Sequence, residues 1–163
     1  MRINQNAKKI LTMKEFSTLR PSLGSVVLVG GCFDVFHHGH LHFLQKAKKK
    51  GKVLVVALES DQFIRARKKK TPFHSQKQRA EILSAFTFID YIVPLAYLKT
   101  DASYEKMVEK LRPSVIAVTR GDPYTSVKKK HAKKIGARVL SVTPHIKKFS
   151  SSILFNHAIV SRD

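Results

Sequence analysis

The chain has 163 residues, 43% of them hydrophobic, and its 31 Lys and Arg residues against 11 Asp and Glu residues give a formal net charge of +20. This length suits one globular core and is too short for two independent ones. The apolar stretches, such as residues 26–29 and 53–58, are far shorter than the roughly 18 residues of a membrane-spanning helix. The single cysteine, Cys32, excludes an intramolecular disulfide framework and fits a reducing compartment. We therefore expect one cytoplasmic domain without a membrane span.

Short apolar segments rich in β-branched residues alternate with helical patterns along the chain. The pattern predicts strands at residues 26–29, 53–58, 91–93, 115–118 and 139–142, and helices at residues 41–50, 76–85, 104–111, 126–135 and 151–159. This alternation is typical of parallel strands joined by crossover helices. The prediction is an α/β fold, a single Rossmann-like doubly wound domain with a five-stranded parallel sheet, and ligands at the carboxyl ends of its strands. Residues 1–20 are expected to form a loosely attached lead-in to a domain of residues 21–163.

The turn after the first predicted strand carries the main candidate site. It runs from Gly30 to His40 as GGCFDVFHHGH and leads directly into a helical pattern. Glycines let backbone amides approach an anion, and a helix N-terminus adds hydrogen-bond donors and partial positive charge that suit phosphate. We expect His37 and His40 to donate hydrogen bonds to a phosphoryl group that gains charge in its transition state. Asp34 is expected to hold Mg²⁺ that bridges a triphosphate.

Two other interpretations of this turn stay open. Histidines at positions 37, 38 and 40 also suit a zinc site, although the only nearby candidates for a closing ligand are His42 and Cys32. Cys32 is itself a candidate nucleophile, because a helix N-terminus favours a thiolate.

Basic residues concentrate in three runs, at residues 46–52, 65–70 and 128–134. Such charge attracts anionic partners and does not by itself distinguish a nucleotide from nucleic acid or lipid. We interpret the first and third runs as solvated helix faces. The middle run follows the second strand, so it lies at the same sheet edge as the histidines, in a loop that closes over bound phosphates. A mobile solvated loop is the alternative.

The sequence His37-His38-Gly39-His40, in its strand–turn–helix context, resembles the HxGH signature of the cytidylyltransferase-like nucleotidyltransferase superfamily. The resemblance covers most of the chain and includes Ser60-Asp61, the lysines up to Lys70, His74-Ser75 with Arg79, Arg120-Gly121-Asp122 and Phe149-Ser150-Ser151-Ser152. It implies transfer of a nucleotide from a nucleoside triphosphate to a phosphorylated small molecule, with release of pyrophosphate and Mg²⁺ as cofactor.

The resemblance also implies residue roles. His37 and His40 are catalytic, and Lys69 or Lys70 neutralises the triphosphate. Arg79 helps to hold the acceptor or the triphosphate, and Cys32 occupies a position where the family tolerates threonine, which suits a small packing residue. The expected nucleotide-binding residues are Gly31, Cys32, Phe33, Asp34, Gly39, Arg79, Gly121, Asp122, Ser150, Ser151 and Ser152. The serines open the last predicted helix, where hydroxyls and amides suit the departing phosphates.

The substrate is less constrained by these motifs. Residues 8–16, together with the turn at residues 30–34, resemble heptose-1-phosphate adenylyltransferases, whereas Phe73-His74-Ser75 resembles the cytidylyltransferases. Glycerol-3-phosphate cytidylyltransferases place an arginine where this chain has His145, with Lys147 and Lys148 nearby. We favour CTP, with ATP and a sugar phosphate or FMN as the alternative. A nucleic-acid-binding module without turnover is not favoured, and the choice between monomer and homodimer stays open.

Overall fold

The computed structural model describes residues 9–144. The predicted helix at residues 151–159 and the candidate residues Ser150, Ser151 and Ser152 lie outside the described residues.

The described chain alternates strands and helices as the sequence predicts. Its strands are β1 (Val26–Gly31), β2 (Val53–Leu58), β3 (Tyr91–Pro94), β4 (Val115–Thr119) and β5 (Arg138–Thr143). Its α-helices are α1 (Met13–Leu19), α2 (His38–Lys48), α3 (Asp61–Lys68), α4 (Gln76–Ser84), α5 (Asp101–Leu111) and α6 (Thr125–Lys134). Each strand and helix predicted between residues 9 and 144 is present, with its ends displaced by one turn or less. None of these described helices is long and apolar enough to cross a membrane.

The strands form one parallel sheet in the order β3-β2-β1-β4-β5. The chain winds outward from β1 through β2 to β3, and then returns to place β4 on the other side of β1. This reversal creates a crevice between the carboxyl ends of β1 and β4, where doubly wound sheets bind their ligands. The predicted Rossmann-like fold is confirmed.

Both faces of the sheet are buried under helices, which explains the uninterrupted apolar runs of the central strands. In β1, Val27 and Val29 pack in the core on one face, with Leu44 of α2 and Leu83 of α4. The alternate residues Val26 and Leu28 pack on the other face. The turn that leads to α2 therefore starts from a strand whose first four residues are buried.

The segment after β2, where the sequence predicts a loop, forms helix α3. Ser60 caps this helix, because its side chain accepts a hydrogen bond from the Phe63 backbone N–H. Ile64 faces the core, and the basic residues occupy the outward side and the last turn. Basic residues in the last turn of a helix are favourable to its dipole, so the lysine-rich composition is compatible with a helix.

The described part of the lead-in, from Lys9 onward, is packed against the domain, so the expectation of loose attachment is wrong for this segment. Ile10 forms a parallel bridge with Ile92, and the Lys9 Nζ donates to the carbonyl oxygens of Ser84 and Phe86. Helix α1 places Phe16 in the core with no exposed surface. The segment is therefore held to the domain by a strand-like bridge, side-chain hydrogen bonds and a buried aromatic ring.

Candidate active site

A cleft of about 390 Å³ opens at the carboxyl ends of β1, β4 and β5. Its wall contains the β1 turn, the start of α2, the end of α3, the end of β4 and the first turn of α6. The lining residues are Gly30, Gly31, Cys32, Phe33, Asp34, His37, Gly39, His40, Phe43, Ile64, Lys68, Lys70, Ala117, Val118, Thr119, Asp122, Lys128, Thr143 and Pro144. The cleft therefore lies at the crevice expected from the strand order.

His37 and His40 stack face to face in this cleft, with ring centroids 3.7 Å apart and an interplanar angle of 18°. His37 is the N-cap of α2, and its Nδ1 accepts a hydrogen bond from the His40 backbone N–H at 3.3 Å. The His40 ring also contacts Phe33 edge-on, at a centroid distance of 5.2 Å. Capping by His37 starts the helix three residues before the expected Leu41, and it holds both rings at the helix N-terminus.

Both histidines are neutral at neutral pH. Burial is the largest cause, and with the adjacent His37 it lowers the pKa of His40 to about 3. Burial also lowers the pKa of His37. Because the His37 Nδ1 accepts a hydrogen bond, a neutral His37 carries its proton on Nε2. The pair thus suits hydrogen-bond donation to an anion and does not suit protonation by solvent.

The β1 turn that precedes the histidines is strained and clamped. Phe33 and Val35 have positive φ angles of 48° and 51°, an unfavourable conformation for a β-branched residue such as Val35. Between them, the Asp34 carboxylate accepts hydrogen bonds from the backbone N–H groups of Phe73 at 2.9 Å and His74 at 3.0 Å. Asp34 is 6% exposed. Its side chain therefore fastens the turn to the segment that precedes α4.

These contacts bear on the expected magnesium site. Mg²⁺ is usually bound by one or two carboxylates together with substrate phosphates. Asp34 uses both oxygens to hold backbone N–H groups, and Asp122 accepts from the Tyr124 N–H and pairs with the Lys128 Nζ at 2.7 Å. Within residues 9–144, no group of three or more His, Cys, Asp or Glu residues suits a metal ion. Asp34 and Asp122 are thus already engaged by protein donors, and residues 9–144 offer no cluster of the kind that a protein-held zinc ion requires.

Arg79 is the clearest correction to the expected roles. It has no exposed surface, and its nitrogens donate to the carbonyl oxygens of His74 and Cys32 and to the Asp61 carboxylate. A guanidinium engaged in this way has no face toward the cleft, so it is not a direct ligand of the acceptor or the triphosphate. It instead joins the β1 turn, the start of α3 and the segment before α4.

The basic residues on the cleft wall differ in part from the predicted ones. Lys70 lines the cleft, as does Lys68, whereas Lys69 is exposed outside it and ends α3 in the left-handed conformation with φ 56°. Lys128, which the sequence analysis assigns to a solvated helix face, also lines the cleft. The sequence signal for Lys128 at the cleft is its position one turn into the helix that follows β4.

Cys32, Gly31 and Asp122 lie at the cleft, as predicted, and Gly121 beside Asp122 has a φ angle of +79°. A Cβ at Gly31 would lie 2.9 Å from the Phe33 ring, so the turn requires glycine there. Burial, the largest effect, raises the pKa of the Cys32 thiol to about 11. A thiol with such a pKa is a poor nucleophile, which favours the packing role.

Comparisons with known proteins agree with this arrangement. The bifunctional protein HldE of Helicobacter pylori is 38% identical over 116 residues, which cover 70% of this chain and 24% of that protein. The FAD synthase of Thermococcus kodakarensis is 39% identical over 93 residues, covering 56% of this chain and 60% of that protein. The chain thus spans about a quarter of the first relative and less than two thirds of the second.

Solved structures show the same fold. A lipopolysaccharide core biosynthesis protein from Thermoplasma volcanium superposes with a TM-score of 0.60 at 26% identity, covering 74% of this chain and 95% of that one. A pantoate–β-alanine ligase from Francisella tularensis superposes with a TM-score of 0.63 at 16% identity, which supports the fold alone. The family described as cytidylyltransferase-like matches residues 28–154, from β1 past the end of the described sheet. The chain therefore belongs to the cytidylyltransferase-like family.

Proposed function

We propose that this protein transfers a nucleoside monophosphate from a nucleoside triphosphate to a phosphorylated small molecule and releases pyrophosphate. The observation that carries the proposal is the neutral, stacked pair His37 and His40 at the N-terminus of α2, inside a cleft with three lysines on its wall. Family membership and the relatives named above support the same reaction class.

In this reaction, a phosphate oxygen of the acceptor forms a bond to the α-phosphorus, and the bond from that phosphorus to the β-phosphate oxygen breaks. Pyrophosphate leaves with the bonding electrons, and an ionised acceptor phosphate needs no general base. The N–H groups of His37 and His40 donate hydrogen bonds to phosphoryl oxygens as these gain charge. Lys68, Lys70 and Lys128 offset the negative charge that two phosphate-bearing substrates bring into one cleft.

For the nucleotide, we propose ATP in place of the CTP favoured by the motif at residues 73–75. One relative is named as a FAD synthase, and FAD is an adenine dinucleotide. The lead-in and the β1 turn resemble heptose-1-phosphate adenylyltransferases. The acceptor class is then a sugar phosphate or FMN. We propose that Mg²⁺ enters with the triphosphate, because Asp34 and Asp122 are already engaged by protein donors.

The test is a pyrophosphate-release screen of the four nucleoside triphosphates against sugar phosphates, polyol phosphates and FMN, with and without MgCl₂. We expect turnover with ATP and a phosphorylated acceptor, dependent on both substrates. Turnover with CTP alone would overturn the nucleotide assignment. Absence of pyrophosphate release from every pair, by protein that is folded by circular dichroism, would overturn the reaction class.

A further inference from the structure

Two threonines stand side by side at the end of the sheet, where β4 and β5 border the cleft. Thr119 is the last residue of β4 and pairs with Thr143, the last residue of β5. Both residues line the cleft, and Thr143 is 6% exposed. Paired residues of parallel strands project their side chains from the same face of the sheet, so the two hydroxyl groups form one polar patch on the cleft wall.

An irregularity in the strand pairing creates this pair. Regular continuation of the pairing from Val118 would place Val142 beside Thr119. The register instead shifts between Val118 and Thr119, and Thr143 takes that place. The Thr143 carbonyl accepts a hydrogen bond from the Arg120 backbone N–H at 2.8 Å, which fixes the shifted register. Irregularities of this kind are common beside active sites, where they redirect a side chain.

The two hydroxyl groups are available to a ligand. Within residues 9–144, neither Oγ1 atom has a hydrogen-bond partner. Neither is among the enclosed side-chain atoms of this range that lack a partner, so both oxygens open into the cleft. A nearly buried hydroxyl without a partner is unfavourable to folding. Thr143 therefore carries a hydrogen-bonding group that the fold of residues 9–144 does not use.

The wall around these hydroxyls is largely apolar. Three apolar residues line the cleft there: Ala117, Val118 and Pro144. Lys128, the cation that α6 contributes, is offset by the Asp122 carboxylate at 2.7 Å. Lys68 and Lys70 lie at the end of α3, on the β2 side of β1. Phosphates are drawn toward those lysines, whereas an apolar wall with a few placed polar groups suits the flat ring of a nucleobase.

We propose that the hydroxyl groups of Thr119 and Thr143 bind the nucleobase of the triphosphate, through hydrogen bonds to its exocyclic amino group and the adjacent ring nitrogen. A hydroxyl both donates and accepts, so a pair of hydroxyls matches an amino group beside a ring nitrogen. Adenine offers this combination on one edge. The inference rests on the proposed nucleotidyl transfer from ATP and adds the residues that recognise the base.

The test replaces both threonines, as Thr119→Val with Thr143→Val, and measures ATP binding by calorimetry with MgCl₂ and without acceptor. Valine keeps the shape of threonine and removes the hydroxyl. The double valine variant is expected to bind ATP about tenfold more weakly or worse, because two polar groups of the base lose their partners. Thr119→Ser with Thr143→Ser keeps both hydroxyls and is expected to retain most of the affinity. Thr87→Val, the same change in the exposed turn after α4, is expected to alter the Kd by less than about twofold.

Two ATP analogues identify the part of the nucleotide that the threonines contact. Purine riboside triphosphate lacks the 6-amino group, and the wild type is expected to bind it about fivefold more weakly than ATP. The double valine variant is expected to bind these two nucleotides equally within about twofold, because losses at the two sides of one contact are not additive. 2′-Deoxy-ATP lacks a ribose hydroxyl, and its affinity relative to ATP is expected to be the same in the wild type and the variant.

Stability without nucleotide separates recognition of a ligand from a structural role. The double valine variant replaces a nearly buried hydroxyl that has no partner within residues 9–144 with a methyl group of similar size. Its urea midpoint is therefore expected to equal or exceed that of the wild type. A lower urea midpoint would show that the hydroxyls stabilise the folded protein, and it would overturn the assignment.

The outcomes distinguish this inference from the proposed function. If the wild type binds ATP and the double valine variant keeps the wild-type preference for ATP over purine riboside triphosphate, the threonine role is overturned and the reaction class stands. Loss of discrimination against 2′-deoxy-ATP in the variant would place the hydroxyls at the ribose and would also overturn it. If the variants behave as expected but no acceptor in the screen yields pyrophosphate, the nucleotide site stands and the reaction class fails. If the wild type binds no ATP, the threonine role fails together with the ATP assignment.

Discussion

The neutral state of His37 and His40 determines what these residues can do. With a pKa lowered to about 3, His40 carries no charge at neutral pH, so in the proposed reaction it would contact a phosphoryl oxygen only through a dipolar N–H. Such a donor stabilises a phosphoryl group most when that group gains charge, and it does not hold the ground-state phosphate as tightly as a cation would. In the proposed reaction, the lysines would provide general attraction for phosphate, and the histidines would provide the stabilisation that is specific to the transition state.

His40→Ala is therefore expected to reduce kcat by about two to three orders of magnitude, with a much smaller change in KM for the nucleotide. The measurement is pyrophosphate release under saturating substrates. His38→Ala is the matched control, because His38 is an exposed histidine at the first residue of α2, and this variant is expected to lose far less activity. A collapse of the melting temperature of His40→Ala along with activity would show that the ring is needed for folding.

The Asp34→Asn variant tests whether Asp34 acts through its hydrogen bonds to the backbone or as a ligand of Mg²⁺. The Asn side chain keeps one acceptor oxygen and turns an NH₂ group toward the other backbone N–H, at Phe73 or His74. Loss of one hydrogen bond to a charged acceptor predicts a stability loss of about 1.5 to 3 kcal/mol. The measurement is urea denaturation in EDTA without nucleotide. If Asp34 acted only as a ligand of Mg²⁺, Asp34→Asn would leave the stability in EDTA unchanged and would alter only the metal dependence of nucleotide binding.

At the scale of whole elements, apolar patterning predicts the strands well and charge patterning misleads. The valine-rich runs locate β1, β2 and β4 because those strands are buried on both faces. Helix α3 was missed because its lysines indicate a solvated loop, although Ser60-Asp61 is a helix start by its capping chemistry. The capping residue therefore indicated the helix more reliably than the composition of the segment that follows it.

The end of α3 gives a prediction about its three consecutive lysines. Lys68 and Lys70 line the cleft and Lys69 points elsewhere, so Lys68→Gln with Lys70→Gln is expected to raise the Kd for the nucleoside triphosphate by about tenfold or more. Lys69→Gln removes one charge from the same segment and is expected to change the Kd by less than about twofold. Binding is measured by calorimetry. If Lys69→Gln loses half as much binding free energy as the double variant, each lysine acts equally, and the effect is general electrostatic attraction without contact.

For the whole molecule, sequence motifs located the cleft because parallel strands bring the segments after β1, β2 and β4 to one edge of the sheet. The motifs could not predict that Arg79 is buried. Whether a charged side chain turns into the protein depends on partners distant in sequence, such as the Cys32 carbonyl for Arg79. Contacts of this kind have no local pattern, so only the folded arrangement identifies them.

The net charge of +20 suits both an enzyme with phosphorylated substrates and a nucleic-acid-binding module, and the salt dependence of binding distinguishes the two. Oligonucleotide binding by such a basic protein is expected at low salt, and it releases several counterions, so its Kd rises steeply with salt. Binding of one nucleoside triphosphate in a cleft of about 390 Å³ involves few phosphates and has a shallower salt dependence.

The measurement is the Kd of a generic single-stranded oligonucleotide and of the triphosphate at 50 and 200 mM KCl. Over this roughly fourfold range, contact of a single strand with about 6 to 10 phosphates predicts a loss of roughly 300-fold to 16,000-fold in oligonucleotide affinity. We expect oligonucleotide binding to become undetectable at the higher salt while triphosphate binding weakens only modestly. If oligonucleotide binding persists at 200 mM KCl and the triphosphate does not displace the oligonucleotide, the protein has a dedicated nucleic-acid-binding surface. In that case the basic charge does not serve only to attract small phosphorylated substrates.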